Sequence, residues 1–151
     1  MNNKKKIYIL NTILVLLLCF IWGHSMMSAD ASSEESGTWA AFLIPILKNI
    51  VGEKLATEHL VRKMAHFSEY AVFGFVMAIR MKQTRKLDIK MIARSEEASF
   101  ITAFIDESIQ VFSGRGPMIT DVWIDSCGAF TGILVATIIL LISDRRKKNE
   151  C

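Results

Sequence analysis

The chain has 151 residues, enough for one small domain, and 18 basic against 15 acidic residues give it a net charge of +3. Hydrophobic residues make up 52% of the chain, and the mean hydropathy of +0.34 is high for a water-soluble domain of this length. Eight glycines and two prolines are too few for a disordered or fibrous chain.

The N-terminal stretch combines a short basic start with a long apolar run. Residues 2–6 contain three lysines, and residues 7–22 are almost wholly apolar. A secretory signal peptide shares this pattern, but more apolar segments follow, which favours an uncleaved first transmembrane helix. Extension of this helix to Ser25 or Met27 supplies the roughly 20 residues that a spanning helix needs.

The next segment is amphipathic. Residues 28–37 are rich in serine, acid and alanine, and this composition is typical of a solvated loop or a helix start. Apolar side chains then recur at helical spacing over residues 38–57, with Pro45 as an interruption. The pattern predicts one or two short helices on the membrane surface, with Trp39 at the headgroup level. A helix packed on the domain itself is the alternative.

Three further spanning segments are predicted in the second half of the chain. Residues 64–81 are the second candidate, and residues 122–142 are a clear spanning length. Residues 93–112 form a weak third candidate, because charged side chains crowd both of its ends and hydropathy alone rejects it. A basic loop at residues 80–94 separates the second candidate from the third.

The distribution of basic residues favours keeping the third helix. With four spanning helices and both termini in the cytoplasm, 13 of the 18 lysines and arginines lie on the cytoplasmic side, as the positive-inside rule requires. With only three helices, the basic C-terminal tail moves outside. These 13 residues are Lys4, Lys5, Lys6, Arg80, Lys82, Arg85, Lys86, Lys90, Arg94, Arg145, Arg146, Lys147 and Lys148.

In this topology the ionisable groups of the apolar segments collect on the outer side of the membrane. They follow helical spacing within each segment, so each set shares a helix face. We expect them to form a polar, partly buried pocket that opens outward. Its residues are Arg62, Lys63, His66, Glu69, Tyr70, Asp106, Glu107, Gln110, Arg115, Asp121 and Asp125. Small residues on the same faces predict close helix packing at Gly74, Gly128 and Gly132.

Three ordered blocks of these residues resemble the signature of VanZ-like membrane proteins. The resemblance covers about residues 62–142 and implies a bacterial cell-envelope protein of the cytoplasmic membrane, of the type that raises resistance to the glycopeptide teicoplanin. The blocks are Arg62-Lys63-x-Ala65-His66-Phe67-x-Glu69-Tyr70-x-x-x-Gly74, Asp106-Glu107-x-x-Gln110-x-Phe112-x-x-Arg115 and Asp121-Val122-x-x-Asp125-x-x-Gly128-x-x-x-Gly132.

Three roles for the polar cluster stay open. It binds a polar envelope group, such as a lipid-linked wall precursor, an anionic lipid headgroup or a lipophilic glycopeptide, with the cations meeting phosphate or carboxylate. Alternatively, His66 with Glu69 or Asp106 acts as base and orienting carboxylate of a membrane-embedded hydrolase or transferase. Under this role the acids with His66 could also hold a divalent metal. The third role is a purely structural ion-pair network.

We therefore expect an all-α integral membrane bundle of four transmembrane helices with an additional amphipathic surface helix. The first helix occupies residues 1–27, the extracytoplasmic loop with the surface helix 28–61, the three-helix core 62–142, and the basic cytoplasmic tail 143–151. The lipid bilayer is the expected partner, and no nucleic acid is, because no aromatic or motif context accompanies the basic loop. No cofactor and no metal are expected, because no segment has the spacing of an established metal motif. The oligomeric state stays open.

Overall fold

The computed structural model describes residues 2–114 and 119–149, and the regular structure of these residues is entirely α-helical. The all-α class predicted from the sequence is confirmed. Five helices follow one another along the chain, and they are α1 (Asn3–Ser25), α2 (Ala29–Val51), α3 (Glu58–Lys82), α4 (Ile89–Phe112) and α5 (Ile119–Asn149).

Local capping explains where several of these helices begin and end. The Thr57 hydroxyl accepts a hydrogen bond from the Leu60 amide at 3.2 Å and starts α3. The Asp88 carboxylate accepts from the Met91 amide at 2.8 Å and starts α4. Gly52 follows α2 with a φ of 85°, a left-handed conformation that glycine adopts without strain.

Helix α2 is longer than the sequence predicted. It begins at Ala29, so residues 29–37 form a helix start and not a loop. It also continues through Pro45 to Val51 as one helix rather than two. One face packs on α3, with Ala40, Leu47 and Val61 buried in a shared apolar cluster. The other face stays exposed.

Helices α3 and α5 form the central pair of the fold and share its most extensive interface. They run parallel, because Lys63 pairs with Asp121 near the start of both helices, while Lys82 pairs with Asp144 near their ends at 2.7 Å. The two pairs are about 28 Å apart along α3 at 1.5 Å per residue. Helix α4 packs on both helices, and α1 packs on α3 and α4.

Glycines allow the backbones of α3 and α5 to touch. A Cβ atom at Gly74 would overlap the backbone of Ala129, and one at Gly128 would overlap the backbone of Phe67. At Gly132 it would overlap the backbone of Ala71. The three glycines therefore lie where the sequence predicted close packing, and the α3–α5 separation depends on the absence of their side chains.

Helix α4 has an inverted distribution of side chains. Its buried face is polar and includes Ser95, Ser99, Thr102, Asp106, Glu107 and Gln110. Large apolar side chains are exposed instead, with Phe104 61% and Phe112 91% accessible. The buried hydroxyls donate to carbonyls four residues earlier, as Ser99 does to Ser95 at 2.9 Å. An exposed apolar surface of this kind marks contact with another protein or with a membrane.

Two of the described helices are long and apolar enough to cross a membrane by length and composition, namely α1 and the part of α5 from Ile119 to Arg146. The other two predicted spans, α3 and α4, do not pass the same test. Both carry several ionisable side chains, and many of these side chains are wholly or partly buried against neighbouring helices.

The glycine contacts lead to a stability prediction. Gly132→Ala should lower the thermal unfolding midpoint of the detergent-solubilised protein markedly, because the added Cβ atom meets the α3 backbone, which cannot rotate away. Overpacking of a core commonly costs about 1–3 kcal/mol. Gly23→Ala is the matched control, because a Cβ atom at this position of α1 would meet no atom within 4 Å. This variant should be neutral or slightly stabilising. Equal midpoints for both variants would contradict the packing.

Candidate functional site

Three helices meet at a buried group of one imidazole and two carboxylates. His66 comes from α3, Asp106 from α4 and Asp125 from α5, and their exposed fractions are 8%, 0% and 1%. His66 Nδ1 lies 3.7 Å from Asp125 Oδ1. One ligating atom from each of the three side chains lies within 4.8 Å of the other two. We call these three residues the central triad.

Tyr70 lies one helical turn beyond His66 on α3 and is fully buried. Its hydroxyl oxygen has no hydrogen-bond partner among the described residues. The phenol is nevertheless within electrostatic range of Asp106, Asp125, Glu69 and Glu107. Tyr70 therefore adds an uncommitted donor and acceptor next to a concentration of carboxyl groups.

The C-terminal end of α1 closes the site on one side. The Gln110 side-chain amide donates to Asp106 Oδ2 at 3.3 Å and to the Ser25 hydroxyl at 3.4 Å. The Ser113 hydroxyl donates to the Ser25 carbonyl oxygen at 2.8 Å. These bonds join the ends of α1 and α4 and hold the Asp106 carboxylate in place.

His24 is a second imidazole at this end of α1. Its Nδ1 lies 3.8 Å from Glu69 Oε1, and its ring stacks on that of His66 with 6.3 Å between centroids. Phe20 stacks on the other side of His24 at 6.4 Å. Two imidazoles and one phenyl ring therefore form a column along the α1–α3 boundary.

The cations of the cluster lie at its rim rather than at its centre. Lys63 Nζ is 3.6 Å from Asp121 Oδ1, and both side chains are about one quarter exposed, at 27% each. Arg62 donates from Nε to the Ser36 hydroxyl at 3.3 Å and lies 3.9 Å from Glu58, so it faces α2 and its own helix. Arg115 was assigned to the same cluster from the sequence, and it lies outside the described residues.

A cavity of about 600 Å³ opens beside the triad between α1, α2 and α3. One part of its wall is apolar and includes Phe20, Trp39 and Leu43. The other part is polar and includes His24, Ser36, Arg62, His66, Ser68 and Glu69. His66 belongs to both the cavity wall and the central triad. This volume lies in the range of about 300–1,000 Å³ that small-molecule sites occupy.

The structure thus brings most of the predicted site residues to one end of the bundle. His66, Tyr70, Asp106, Asp125 and Gln110 form its buried part, with Glu107 buried on the adjoining turn of α4. Lys63 and Asp121 form its rim. Sequence reasoning missed the contribution of α1 and α2, which supply His24, Ser25, Ser36 and Trp39. The sequence signals were that His24 and Ser25 follow directly on the apolar run of α1, and that the stretch Trp22-Gly23-His24-Ser25 and the serine-rich loop resemble many members of the VanZ-like family.

Comparison with known families agrees with this arrangement. A family model described as VanZ/LLP1 matches residues 10–140. The chain belongs to the VanZ/LLP1 family. Neither the curated proteins nor the solved structures contain a match to the chain. The matched region holds every residue of the VanZ/LLP1 chain described above as part of the site, including His24 and Ser25 of α1.

The rim pair of this VanZ/LLP1 protein yields a test by charge exchange. Lys63→Glu should lower the thermal unfolding midpoint, because it sets two carboxylates against each other at partly buried positions. Adding Asp121→Lys should restore most of the loss. The same exchange at Lys48 and Glu53 is the control. Lys48 Nζ is also 3.6 Å from Glu53 Oε1, but Glu53 is 84% exposed, so this pair contributes little to the stability of the fold. Absence of rescue at Lys63 would exclude the pairing.

Proposed function

We propose that α3 and α4 cross the membrane together with α1 and α5, with both termini in the cytoplasm. The main support is the parallel pairing of α3 with α5 over about 28 Å, close to the hydrocarbon thickness of about 30 Å. Since α5 is a spanning helix by composition, α3 beside it shares its depth. The end of α3 and the start of α5 then lie on opposite sides of the membrane. The chain must cross the membrane once more between them, and α4 is the crossing segment.

The inverted surface of α4 supports the same arrangement. Polar side chains such as Asp106 and Gln110 are buried, whereas Phe100, Ile101, Phe104 and Ile105 are exposed. A charge that faces protein in a membrane bundle avoids most of the cost of contact with lipid. The low hydropathy of α4 is therefore compatible with a spanning position.

With this topology the central triad lies toward the outer surface, and α2 lies beside it. Helix α2 exposes a continuous apolar face with Trp39, Phe42, Ile46 and Ile50, all at least 49% accessible. An exposed stripe of this kind inserts into the boundary between headgroups and acyl chains. Helix α2 then rests on the outer leaflet while its other face packs on α3.

The protein binds an envelope amphiphile in the cavity between α1, α2 and α3. The single observation that carries this function is the two-sided wall of the cavity. Phe20, Trp39 and Leu43 suit an acyl or prenyl chain, whereas Arg62 suits an anionic group such as phosphate or carboxylate. Hydroxyls and amines of the same ligand meet Glu69 and Ser68.

Binding of this kind would serve glycopeptide resistance of the teicoplanin type, or envelope maintenance in a bacterial cytoplasmic membrane. A protein that holds a lipid-linked wall precursor, or the lipophilic part of the antibiotic, changes how much of it is accessible at the outer surface. The family assignment to VanZ/LLP1 supports this class of role.

A hydrolase or transferase that acts on a lipid-linked substrate is the second candidate. The observation that favours it is the 3.7 Å separation of His66 Nδ1 and Asp125 Oδ1 beside the cavity, where an imidazole and its orienting carboxylate are suitable for general base catalysis. Release of product from a bound lipid-linked substrate would select this candidate. Unchanged amphiphile binding and unchanged antibiotic susceptibility in His66→Ala would leave only a structural role for His66.

The topology is tested by cysteine labelling of intact cells. In a background with Cys19, Cys127 and Cys151 replaced by serine, Leu55→Cys between α2 and α3 should react with an impermeant maleimide. Thr84→Cys between α3 and α4 should react only after permeabilisation. Both positions are exposed in the fold, so accessibility reports the side of the membrane. The reverse labelling pattern would refute the topology.

Amphiphile binding is tested by filling the cavity. Ala65→Trp places an indole in the cavity and should weaken binding at least tenfold, as measured by native mass spectrometry with phosphatidylglycerol, a lipid-linked wall precursor or teicoplanin. Ala41→Trp on the exposed surface of α2 is the matched control and should bind normally. At equal expression, Ala65→Trp should also change the susceptibility of cells to teicoplanin more than Ala41→Trp does. Equal binding by the two variants would rule out this cavity as the site.

A further inference from the structure

The central triad has the composition of a metal site as well as that of an ion-pair network. An imidazole nitrogen and two carboxylate oxygens are the ligand types that Zn²⁺ and related divalent transition ions accept. His66, Asp106 and Asp125 come from three different helices, so the fold and not a local sequence motif brings them together. All three are at least nine-tenths buried.

The geometry allows an ion to bind after small side-chain rotations. In tetrahedral coordination, ligating atoms about 2.0–2.2 Å from one metal lie roughly 3.3–3.6 Å from each other. The atoms of the triad lie within 4.8 Å of one another. Side-chain rotations that move each atom inward by up to about 0.8 Å would complete the coordination.

A further atom at the triad points to a ligand. The fully buried Tyr70 hydroxyl has no hydrogen-bond partner among the described residues. Tyr70 is within electrostatic range of both triad carboxylates. Buried polar atoms are normally satisfied, so a water bound to an ion would supply the partner that this hydroxyl lacks.

The negative charge at the triad favours a cation at this position. Ligating oxygens of Asp106 and Asp125 lie within 4.8 Å of each other, and Glu69 and Glu107 also act on Asp125. A divalent ion at the position where the two carboxylates converge would supply a compensating charge to both.

We propose that His66, Asp106 and Asp125 bind one divalent transition-metal ion of the Zn²⁺ class. Gln110 positions Asp106 for this role through its 3.3 Å hydrogen bond, and Tyr70 contacts a metal-bound water. The ion lies at the wall of the amphiphile cavity, because His66 borders both. Metal binding does not depend on the proposed amphiphile function, because it requires only the triad.

The experiment uses the full-length protein, purified in a neutral detergent with an affinity tag free of histidine. After treatment with a chelator, it is equilibrated with Zn²⁺, and metal content is measured by inductively coupled plasma mass spectrometry. We expect about one Zn²⁺ per chain, a higher thermal unfolding midpoint with Zn²⁺, and visible absorption bands when Co²⁺ replaces Zn²⁺.

Asp106→Asn and Asp125→Asn preserve side-chain shape and should each lower Zn²⁺ affinity at least tenfold and abolish the thermal shift. Glu96→Gln is the matched control: Glu96 is a partly buried carboxylate of α4 that accepts from Ser126 at 2.6 Å and lies outside the triad, so this variant should bind normally. The unfolding curve without metal distinguishes lost binding from failure to fold, because a variant that folds still shows a cooperative unfolding transition.

Three results would overturn the proposal. They are substoichiometric Zn²⁺ in the unaltered protein, equal binding by the asparagine variants and Glu96→Gln, and Co²⁺ spectra identical to those of the free ion. Loss of stability in Arg115→Ala together with no metal in the unaltered protein would assign the compensating charge to that arginine instead. Failure of amphiphile binding in the same preparation would leave the metal proposal untouched, because the metal is measured in detergent alone.

Discussion

The direct backbone contact between α3 and α5 is the constraint on which the rest of the structure depends. Gly74, Gly128 and Gly132 remove the side chains that would keep the helices apart. Because the helices run parallel, the same approach sets the Lys63–Asp121 and His66–Asp125 pairs at one end and Lys82–Asp144 at the other. A shift by one helical turn would separate every one of these pairs, so register and site are determined together.

A polar interior is the second feature that follows from this packing. Helix α4 buries Asp106 beside His66 of α3 and Asp125 of α5, and it buries Gln110 where Ser25 of α1 accepts a hydrogen bond. Water-soluble bundles gain stability from burial of apolar side chains, whereas here many apolar side chains face outward. If the helices cross a bilayer as proposed, this exchange costs no hydrophobic driving force, since helix association there depends on close packing and polar contacts. The small residues therefore allow the close packing and the buried acids supply polar contacts, so both stabilise the same helix association.

The sequence predicted much of this arrangement, for reasons that can be separated. Helix periodicity placed Arg62, His66 and Glu69 on one face of α3, and the basic loops indicated which helix ends lie on the same side. Together these two signals predicted that distant acids and bases lie at one end of the bundle. The contribution of α1 could not be predicted in the same way. A helix that is apolar on all sides has no periodicity to show which face packs inward, so the approach of His24 to Glu69 was not foreseeable.

The central triad was even harder to predict from the sequence than the contribution of α1. Metal motifs are recognised in a sequence when ligands lie a few residues apart on one helix or loop, and here 40 residues separate His66 from Asp106 and 19 more separate Asp106 from Asp125. What brings the three side chains together is the crossing of three helices, with Gln110 and Ser25 holding one carboxylate in place. A polar centre assembled in this way changes whenever the helices shift relative to one another. Because His66 belongs to both the triad and the cavity wall, a ligand that moved His66 from the cavity side would also change the geometry of the triad.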